Sequence, residues 1–245
     1  MLTGPQISAD TVTDSASPNL ANNWTETKQR IASAAAQWGR LCDSVGLVAI
    51  SKGHPAGAIR ALAALGQRDF GENYLQEALP KRQELQDLKL TWHFTGQLQG
   101  NKTRPVAEHF DWVHTLDRER IAVRLNEQRP HYASPLNICV QVSLEPEPGK
   151  GGVPPEELLP LAQRVATLPK LKLRGLMCIP PPRDTFDEQR ALFDRLVACQ
   201  RQLLDAGLAV DTLSMGMSDD LEAAVAAGAT WVRIGTAIFG KRPAM

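Results

Sequence analysis

The apolar run Leu47-Val48-Ala49-Ile50-Ser51 ends abruptly: Lys52 follows it directly, and Gly53-His54-Pro55 comes next. A short apolar run that stops so abruptly is typical of a strand buried on both faces. We predict eight such strands, at residues 47–51, 69–71, 91–95, 112–115, 136–144, 173–179, 212–215 and 231–234. Helix-period stretches alternate with them, at residues 56–65, 74–88, 102–109, 118–128, 155–168, 185–206 and 219–227, after a leading helix at about 24–43.

Eight strands separated by seven helices within 245 residues predict a single α/β domain. The expected fold is a (β/α)8 TIM barrel with an extra N-terminal helix. A doubly wound open sheet is the alternative, although it usually needs fewer strands and a glycine fingerprint after the first one. Residues 1–20 are rich in Ser, Thr, Asp and Pro and are expected to form a disordered leader. Residues 21–245 are expected to form the barrel domain.

The composition excludes several classes of function. With 27 basic and 27 acidic side chains, the chain gives no electrostatic reason to expect nucleic acid. The small basic clusters, such as Lys81-Arg82, are expected to be solvated faces or helix ends. No apolar run approaches the roughly 18 residues of a membrane span. The scattered cysteines (Cys42, Cys139, Cys178 and Cys199) lack metal or redox spacing, so we expect buried free thiols at Cys139 and Cys178 in a reducing cytoplasm.

Lys52 is a candidate nucleophile. At the C-terminal end of an inner strand its amine can lie at the mouth of a barrel, where it could attack a carbonyl and form a Schiff base. The alternative is an ordinary lysine that extends its stem along apolar surface to reach solvent.

A second constellation lies near the C terminus, in Ser214-Met215-Gly216-Met217-Ser218-Asp219-Asp220 and in Arg233-Ile234-Gly235-Thr236. These segments follow strands seven and eight, where barrels often bind phosphate. Ser218 is expected to cap the next helix, whose free amides could hold a phosphate; Gly235 would allow close backbone approach and Thr236 would add a hydroxyl. Plain helix capping stays open as the alternative, since Asp219 and Asp220 would repel a phosphate unless they point outward.

Other polar residues also fall at strand ends. Arg233 ends an apolar strand, and an ion pair with a neighbouring strand's carboxylate is the alternative to a ligand contact. Glu72 and Asn73 would face the barrel mouth or cap the next helix. We expect His93 to be a hydrogen-bonded core residue and Lys102 to lie on the surface. Residues 145–152, rich in Pro and Gly, are expected to form a mobile loop on the same face.

The motifs taken together resemble a known family. They are Ala49-Ile50-Ser51-Lys52, Phe70-Gly71-Glu72-Asn73-Tyr74-Leu75-Gln76-Glu77, Trp92-His93-Phe94-Thr95-Gly96, Gln99-Gly100-Asn101-Lys102, Arg174-Gly175-Leu176-Met177, Gly216-Met217-Ser218-Asp219-Asp220 and Arg233-Ile234-Gly235-Thr236-Ala237-Ile238-Phe239-Gly240. In this order, over roughly residues 24–242, they resemble the YggS/PROSC family of pyridoxal-phosphate homeostasis proteins.

The resemblance implies a barrel like the N-terminal domain of alanine racemase, with pyridoxal 5'-phosphate held as an aldimine on Lys52. It further implies that the phosphate is contacted by Ser218, Gly235 and Thr236. Arg233 would contact the pyridine nitrogen, and Asn73 would lie near the ring. Two segments depart from the family pattern: Gly53-His54 replaces Thr-Lys, and Gly149-Lys150-Gly151-Gly152 replaces a loop that more often contains Lys-Ser-Gly.

The implied function is storage, buffering or delivery of pyridoxal phosphate without catalysis. Alanine racemase completes its site with a further β domain, and we expect no such domain in a sequence that ends with Phe239-Gly240-Lys241-Arg242-Pro243-Ala244-Met245. An arginine at the ring nitrogen would also weaken the electron sink that carbanion chemistry needs. We expect a cytoplasmic monomer, with pyridoxal-phosphate-dependent apo-enzymes as recipients. The alternatives are a weak racemase-like amino-acid enzyme and an aldolase-type lysine that acts on a sugar phosphate without cofactor.

Overall fold

The computed structural model describes residues 18–145 and 149–241. Eight parallel strands form a closed barrel there, in which each strand pairs with the next along the chain and the last pairs with the first. The strands are β1 Gly46–Ile50, β2 Asp69–Glu72, β3 Thr91–Phe94, β4 Trp112–Leu116, β5 Leu136–Gln141, β6 Leu171–Met177, β7 Thr212–Ser214 and β8 Trp231–Ile234. The predicted TIM barrel is confirmed, and the open sheet is wrong because β1 and β8 are hydrogen-bonded.

Helices alternate with the strands and cover the outside of the barrel. They are α1 Pro18–Gln37, α2 Ala56–Ala64, α3 Leu75–Glu84, α4 Thr103–His109, α5 Glu119–Gln128, α6 Pro155–Ala166, α7 Phe186–Asp205, α8 Leu221–Ala227 and α9 Thr236–Phe239, with a 3-10 turn at Gly100–Lys102 before α4. The short α9 has no counterpart in the sequence prediction. No helix in the described ranges is both long enough and apolar enough to cross a membrane.

The extra N-terminal helix lies further upstream than its predicted span of 24–43. Helix α1 ends at Gln37 because Gly39 adopts a left-handed φ of +66°, which stops the helix. Residues 18–20 of the predicted leader are therefore helical, and the rest of that leader lies outside the described residues. The Arg40 guanidinium then donates to the carbonyls of Val225 and Ala229, at 2.8 Å each, and so ties the α1 end to the end of α8.

The fifth strand is shorter than the predicted span of 136–144. It ends at Gln141, because Val142 bridges to Val153 on the far side of the following loop. The Gln141 side chain also donates to the Gly151 carbonyl at 2.7 Å, which holds that end of the loop against the strand. Of the loop predicted to be mobile, residues 146–148 lie outside the described part of the chain.

The apolar core lies between strands and helices, whereas the barrel lumen contains a polar layer. Ile59, Leu62 and Phe70 are among the fully buried residues of the apolar core. His93 and His114 are also fully buried, and the two rings are hydrogen-bonded to each other within the barrel. The prediction that His93 is a hydrogen-bonded core residue is confirmed. Burying such groups is tolerable only because each has a partner.

Candidate functional site

A cavity of about 610 Å³ opens at the C-terminal ends of the strands. Its volume is within the range of small-molecule sites, roughly 300–1,000 Å³. The six residues that the sequence suggested as ligands all line it: Lys52, Asn73, Ser218, Arg233, Gly235 and Thr236. They come from the ends of β1, β2, β7 and β8, which are far apart in sequence and meet only because the barrel closes.

The backbone around Lys52 is held from below by an ionic clamp, which we define as Ser51, Glu72, Glu77 and Lys81. The Lys81 ammonium donates to the Ser51 carbonyl at 2.9 Å and to Glu72 Oε1 at 2.7 Å. The Ser51 hydroxyl donates to the same Glu72 oxygen at 2.6 Å. On the other side of Lys52, the Gly53 amide donates to Glu77 Oε2 at 2.7 Å. Both neighbours of Lys52 are therefore fixed by charged side chains.

The expectation for Glu72 is wrong, whereas Lys81 lies at a helix end, which is one of the two places expected for its cluster. Glu72 neither faces the mouth nor caps a helix, because it is the last residue of β2 and its side chain is fully buried against Lys81. Lys81 is not on a solvated face, since only 10% of its side chain is exposed. Burial raises the pKa of the Glu72 carboxyl, against the lowering effect of the Lys81 charge and of its hydrogen bond. Glu72 Oε2 is buried and makes no hydrogen bond with the described residues.

Asn73 is held at the cavity by the end of β3. The Thr95 hydroxyl, which also lines the cavity, donates to Asn73 Oδ1 at 2.9 Å. A Cβ atom on Gly96 would lie 2.1 Å from the Asn73 carbonyl oxygen, so a glycine is needed where these two loops cross. Asn73 also borders a second cavity of about 390 Å³, lined among others by Tyr74, Gln97, Gln99 and Lys102.

The segment after β7 forms a turn rather than the helix cap expected from Ser218. Gly216 has a φ of +95°, and the Met217 amide donates to Asp220 Oδ1 at 2.6 Å, which delays the start of α8 to Leu221. The predicted N-cap at Ser218 is therefore wrong; Asp220 occupies that position. Asp220 faces the turn's own amide, and burial raises the pKa of its carboxyl. Asp219 lines the cavity.

Arg30 of α1 lines the cavity too, and sequence reasoning missed it. Its guanidinium forms two hydrogen bonds of 2.9 Å to Glu222 and one of 3.2 Å to the Ser218 carbonyl. Arg30 thereby braces the turn that presents Ser218. The extra N-terminal helix is thus part of the site wall as well as a cover for the barrel.

Gly235 and Thr236 form the opposite wall, where β8 passes close to β1. A Cβ atom on Gly235 would lie 3.3 Å from the Ile50 carbonyl oxygen, which is a tight contact between the two strand ends. Thr236 is exposed and begins α9. Just beyond, the Phe239 ring stacks on His54, with ring centroids 4.9 Å apart. This contact joins Gly53-His54, the segment that differs from the family pattern, to the end of α9.

Arg233 is buried at the floor of the cavity, with 5% of its surface exposed. Its guanidinium donates to the Ser214 hydroxyl at 2.8 Å and to the Cys178 carbonyl at 2.9 Å. The alternative of an ion pair does not hold within the described residues, where no carboxylate lies within salt-bridge distance of it. Burial lowers the pKa of this guanidinium.

The remaining chemistry of the described residues is limited. They contain no cluster of three or more His, Cys, Asp or Glu that could hold a metal ion. Cys139 and Cys178 are buried free thiols, as predicted, and burial raises the pKa of each to about 12. Such thiols are poor nucleophiles because the thiolate is the reactive form.

The site has a donor set suited to pyridoxal phosphate. Lys52 supplies an amine, Arg233 a donor without acceptor capacity, and Ser218 and Thr236 supply hydroxyls beside the close-packed backbone of Gly235. The cavity lining contains three basic side chains against the single carboxylate of Asp219. This balance favours an anionic ligand.

Comparison with known proteins gives a consistent result. The family model described as "Alanine racemase, N-terminal domain" matches residues 18–243. The pyridoxal phosphate homeostasis proteins of Pseudomonas aeruginosa and of Escherichia coli K12 are 57% and 50% identical, over 91% of this chain and 96% and 97% of theirs.

Solved structures agree with these matches. PipY of Synechococcus elongatus PCC7942, with pyridoxal phosphate bound, is 43% identical, with a TM-score of 0.77 over 86% of this chain and all of that one. Alanine racemase of Bacillus anthracis shares the fold, at 20% identity and a TM-score of 0.64 over 93% of this chain and 57% of that one. The chain therefore belongs to the pyridoxal phosphate homeostasis proteins, within the family of the alanine racemase N-terminal domain.

Proposed function

We propose that this protein binds pyridoxal 5'-phosphate in the 610 Å³ cavity, with Lys52 as its covalent anchor, and buffers or delivers the cofactor without catalysis. The observation that carries the proposal is the convergence of the strand-one lysine, the residues after β7 and β8, and Arg233 on one cavity. The PipY structure with pyridoxal phosphate bound supports the choice of ligand.

The six candidate residues would take the roles that the family resemblance implies, and their chemistry permits each of them. The unprotonated Lys52 amine would attack the cofactor aldehyde and form a Schiff base with loss of water, a step that hydrolysis reverses. Ser218, Gly235 and Thr236 would hold the phosphate, and Asn73 would lie near the ring. Arg233 would donate to the pyridine nitrogen.

The absence of catalysis is proposed on two grounds. A guanidinium can only donate, so the pyridine nitrogen opposite Arg233 would stay unprotonated and the ring would be a weak sink for electrons. The described cavity lining also lacks a Tyr, His or Cys that could carry a proton opposite Lys52. We propose accordingly that the protein acts as a cytoplasmic monomer whose bound cofactor passes to pyridoxal-phosphate-dependent apo-enzymes.

The test is the absorbance spectrum of the purified protein, followed by borohydride reduction and peptide mass analysis. We expect a yellow protein with a pyridoxyl-phosphate adduct on Lys52. Lys52→Ala should lose the adduct and the absorption band, whereas Lys102→Ala, at the second cavity, should keep both. A reduced adduct on another residue, or an unchanged band in Lys52→Ala, would contradict the assignment.

A separate experiment, exchange of the α-proton of an amino acid, tests the proposed lack of catalysis. Alanine incubated in D2O with the loaded protein should keep its α-proton, while the same cofactor should restore activity to a pyridoxal-phosphate-dependent apo-enzyme. Sustained α-proton exchange that disappears in Lys52→Ala would instead establish the racemase-like alternative.

A further inference from the structure

A continuous chain of hydrogen bonds crosses the barrel lumen and ends on Arg233. We define this lumen relay as Asp69, His93, His114 and Ser214. Asp69 Oδ1 lies 3.1 Å from His93 Nε2, and His93 Nδ1 lies 2.8 Å from His114 Nε2. His114 Nδ1 lies 2.7 Å from the Ser214 hydroxyl, which accepts from Arg233 at 2.8 Å. The relay connects four strands, β2, β3, β4 and β7, to the arginine of β8.

Arg233 and the single hydrogen of the Ser214 hydroxyl together set the direction of the bonds in the relay. A guanidinium only donates, so Ser214 must be its acceptor. Within the described ranges the Ser214 hydroxyl has one other side-chain partner, His114 Nδ1, and its own hydrogen must go there. His114 then carries its proton on Nε2 and donates to His93 Nδ1.

The same reasoning continues to the far end of the relay. His93, having accepted at Nδ1, carries its proton on Nε2 and donates to the Asp69 carboxylate. Each bond therefore has one donor and one acceptor, and both histidines are neutral Nε2–H tautomers. A reversed chain would leave the Ser214 hydrogen without an acceptor in a fully buried position, which is costly.

Three of the four relay residues are enclosed by the barrel. His93, His114 and Ser214 are fully buried, and the His93 ring stacks on Trp112 with centroids 5.5 Å apart. Burial lowers the pKa of His114 well below its usual range, and the neighbouring His93 and Arg233 lower it further. At the N-terminal end of β2, the Asp69 side chain is 27% exposed and reaches solvent.

We propose that Asp69, His93, His114 and Ser214 are positioning residues, which orient the Arg233 guanidinium toward the ring of the cavity's ligand. This rests on the proposed function, in which Arg233 donates to the pyridine nitrogen. Affinity for pyridoxal phosphate then depends on Asp69, which lies at the opposite end of β2 from the cavity. A low-dielectric lumen strengthens such directed chains.

The first test uses the unloaded protein. The 15N chemical shifts of the imidazole nitrogens distinguish the two tautomers and the charged ring. At pH 7 we expect both His93 and His114 to be neutral Nε2–H tautomers. An Nδ1–H tautomer, or a doubly protonated ring, at either residue would overturn the relay. This result does not depend on cofactor binding, so it stands apart from any failure of the proposed function.

The second test measures pyridoxal phosphate affinity and the absorption maximum in matched variants. His114→Phe keeps a planar ring but breaks two bonds, and should weaken affinity about tenfold, as expected for loss of about one net hydrogen bond. His114→Gln, with one acceptor and one donor group, should recover most of that loss. Asp69→Ala should weaken affinity about threefold through the weakened relay, and should mix the histidine tautomers.

Met177→Leu is the control, because Met177 is a fully buried, apolar residue of the barrel whose replacement conserves volume. It should leave affinity, absorption maximum and tautomers unchanged. A merely structural role would lower thermal stability in His114→Phe and His114→Gln alike, without recovery of affinity in the second. Wild-type affinity in His114→Phe, or no recovery in His114→Gln, would overturn the proposal.

Discussion

The ionic clamp and the lumen relay support the same cavity by different means. The clamp uses charged groups to hold main-chain atoms, namely the Ser51 carbonyl and the Gly53 amide on either side of Lys52. The relay uses two neutral histidines and a hydroxyl to hold one side chain, Arg233. The clamp leaves one buried oxygen of Glu72 without a described partner, whereas every group of the relay is matched.

This difference follows from what each network has to hold. In the proposed function Lys52 forms and breaks a covalent bond, which requires a fixed attachment point, and the clamp holds the main chain on either side of Lys52. The proposed contact of Arg233 with the ligand ring requires a fixed direction of its guanidinium, and the relay ends on that group itself. The clamp should therefore govern stability and the relay should govern ligand binding.

Lys81→Met should give the largest effect, because it removes the charge that compensates buried Glu72. Loss of one partner of a buried ion pair typically costs about 3–5 kcal/mol of unfolding free energy. Urea unfolding at pH 8, where the Glu72 carboxyl is more fully ionised than at lower pH, measures it. The matched control is Glu72→Gln with Lys81→Met, which should recover part of the loss. A single-variant loss below about 1 kcal/mol would show that the pair is not a buried ion pair.

A matched pair of serines separates the two networks directly. Ser51 and Ser214 are both fully buried; the Ser51 hydroxyl donates to Glu72, and the Ser214 hydroxyl lies between His114 and Arg233. Ser51→Ala removes one of two donors to Glu72 Oε1 and should cost about 1 kcal/mol of stability with little change in affinity. Ser214→Ala removes one hydrogen-bond partner from Arg233 and one from His114, although each keeps a second, and should weaken pyridoxal phosphate binding about tenfold.

Denaturant unfolding and a cofactor titration on both variants decide this comparison. If Ser51→Ala lowered affinity as much as Ser214→Ala, the division of labour between clamp and relay would be wrong. If neither variant changed affinity, Arg233 would not depend on its hydrogen bond to Ser214.

The sequence predicted the barrel and the cavity lining well, for a physical reason. Parallel strands end at one face of a barrel, so polar residues that directly follow apolar runs, such as Lys52 and Asn73, must meet there. Gly235 and Thr236 follow the last strand and were found in the same way. Strand ends are visible in a single sequence because hydrophobicity changes abruptly at them.

The supporting residues could not be predicted in this way. Lys81 lies in the last turn of α3, where a lysine ordinarily faces solvent and complements the helix dipole. His114 alternates within Trp112-Val113-His114-Thr115 like any inward residue, and its partners come from β3 and β7. Arg30 lies on a helix outside the barrel repeat. The role of each of these residues depends on partners that are distant in the sequence, and such contacts leave no local sequence pattern.

The smallest expected effect tests whether the clamp is charged, through the pH dependence of stability. Burial raises the pKa of Glu72, so between its unfolded value of about 4.3 and its higher folded value the native state binds more protons than the unfolded state. Stability of the wild type should therefore fall as pH rises through that window, relative to Glu72→Gln, by at most about 1.4 kcal/mol per pH unit. Urea unfolding of both proteins from pH 4 to pH 8 measures the difference. A wild type that instead gains stability relative to Glu72→Gln as pH rises would mean that Lys81 outweighs burial, and that the clamp is a favourable ion pair rather than a costly charge retained to fix the backbone beside Lys52.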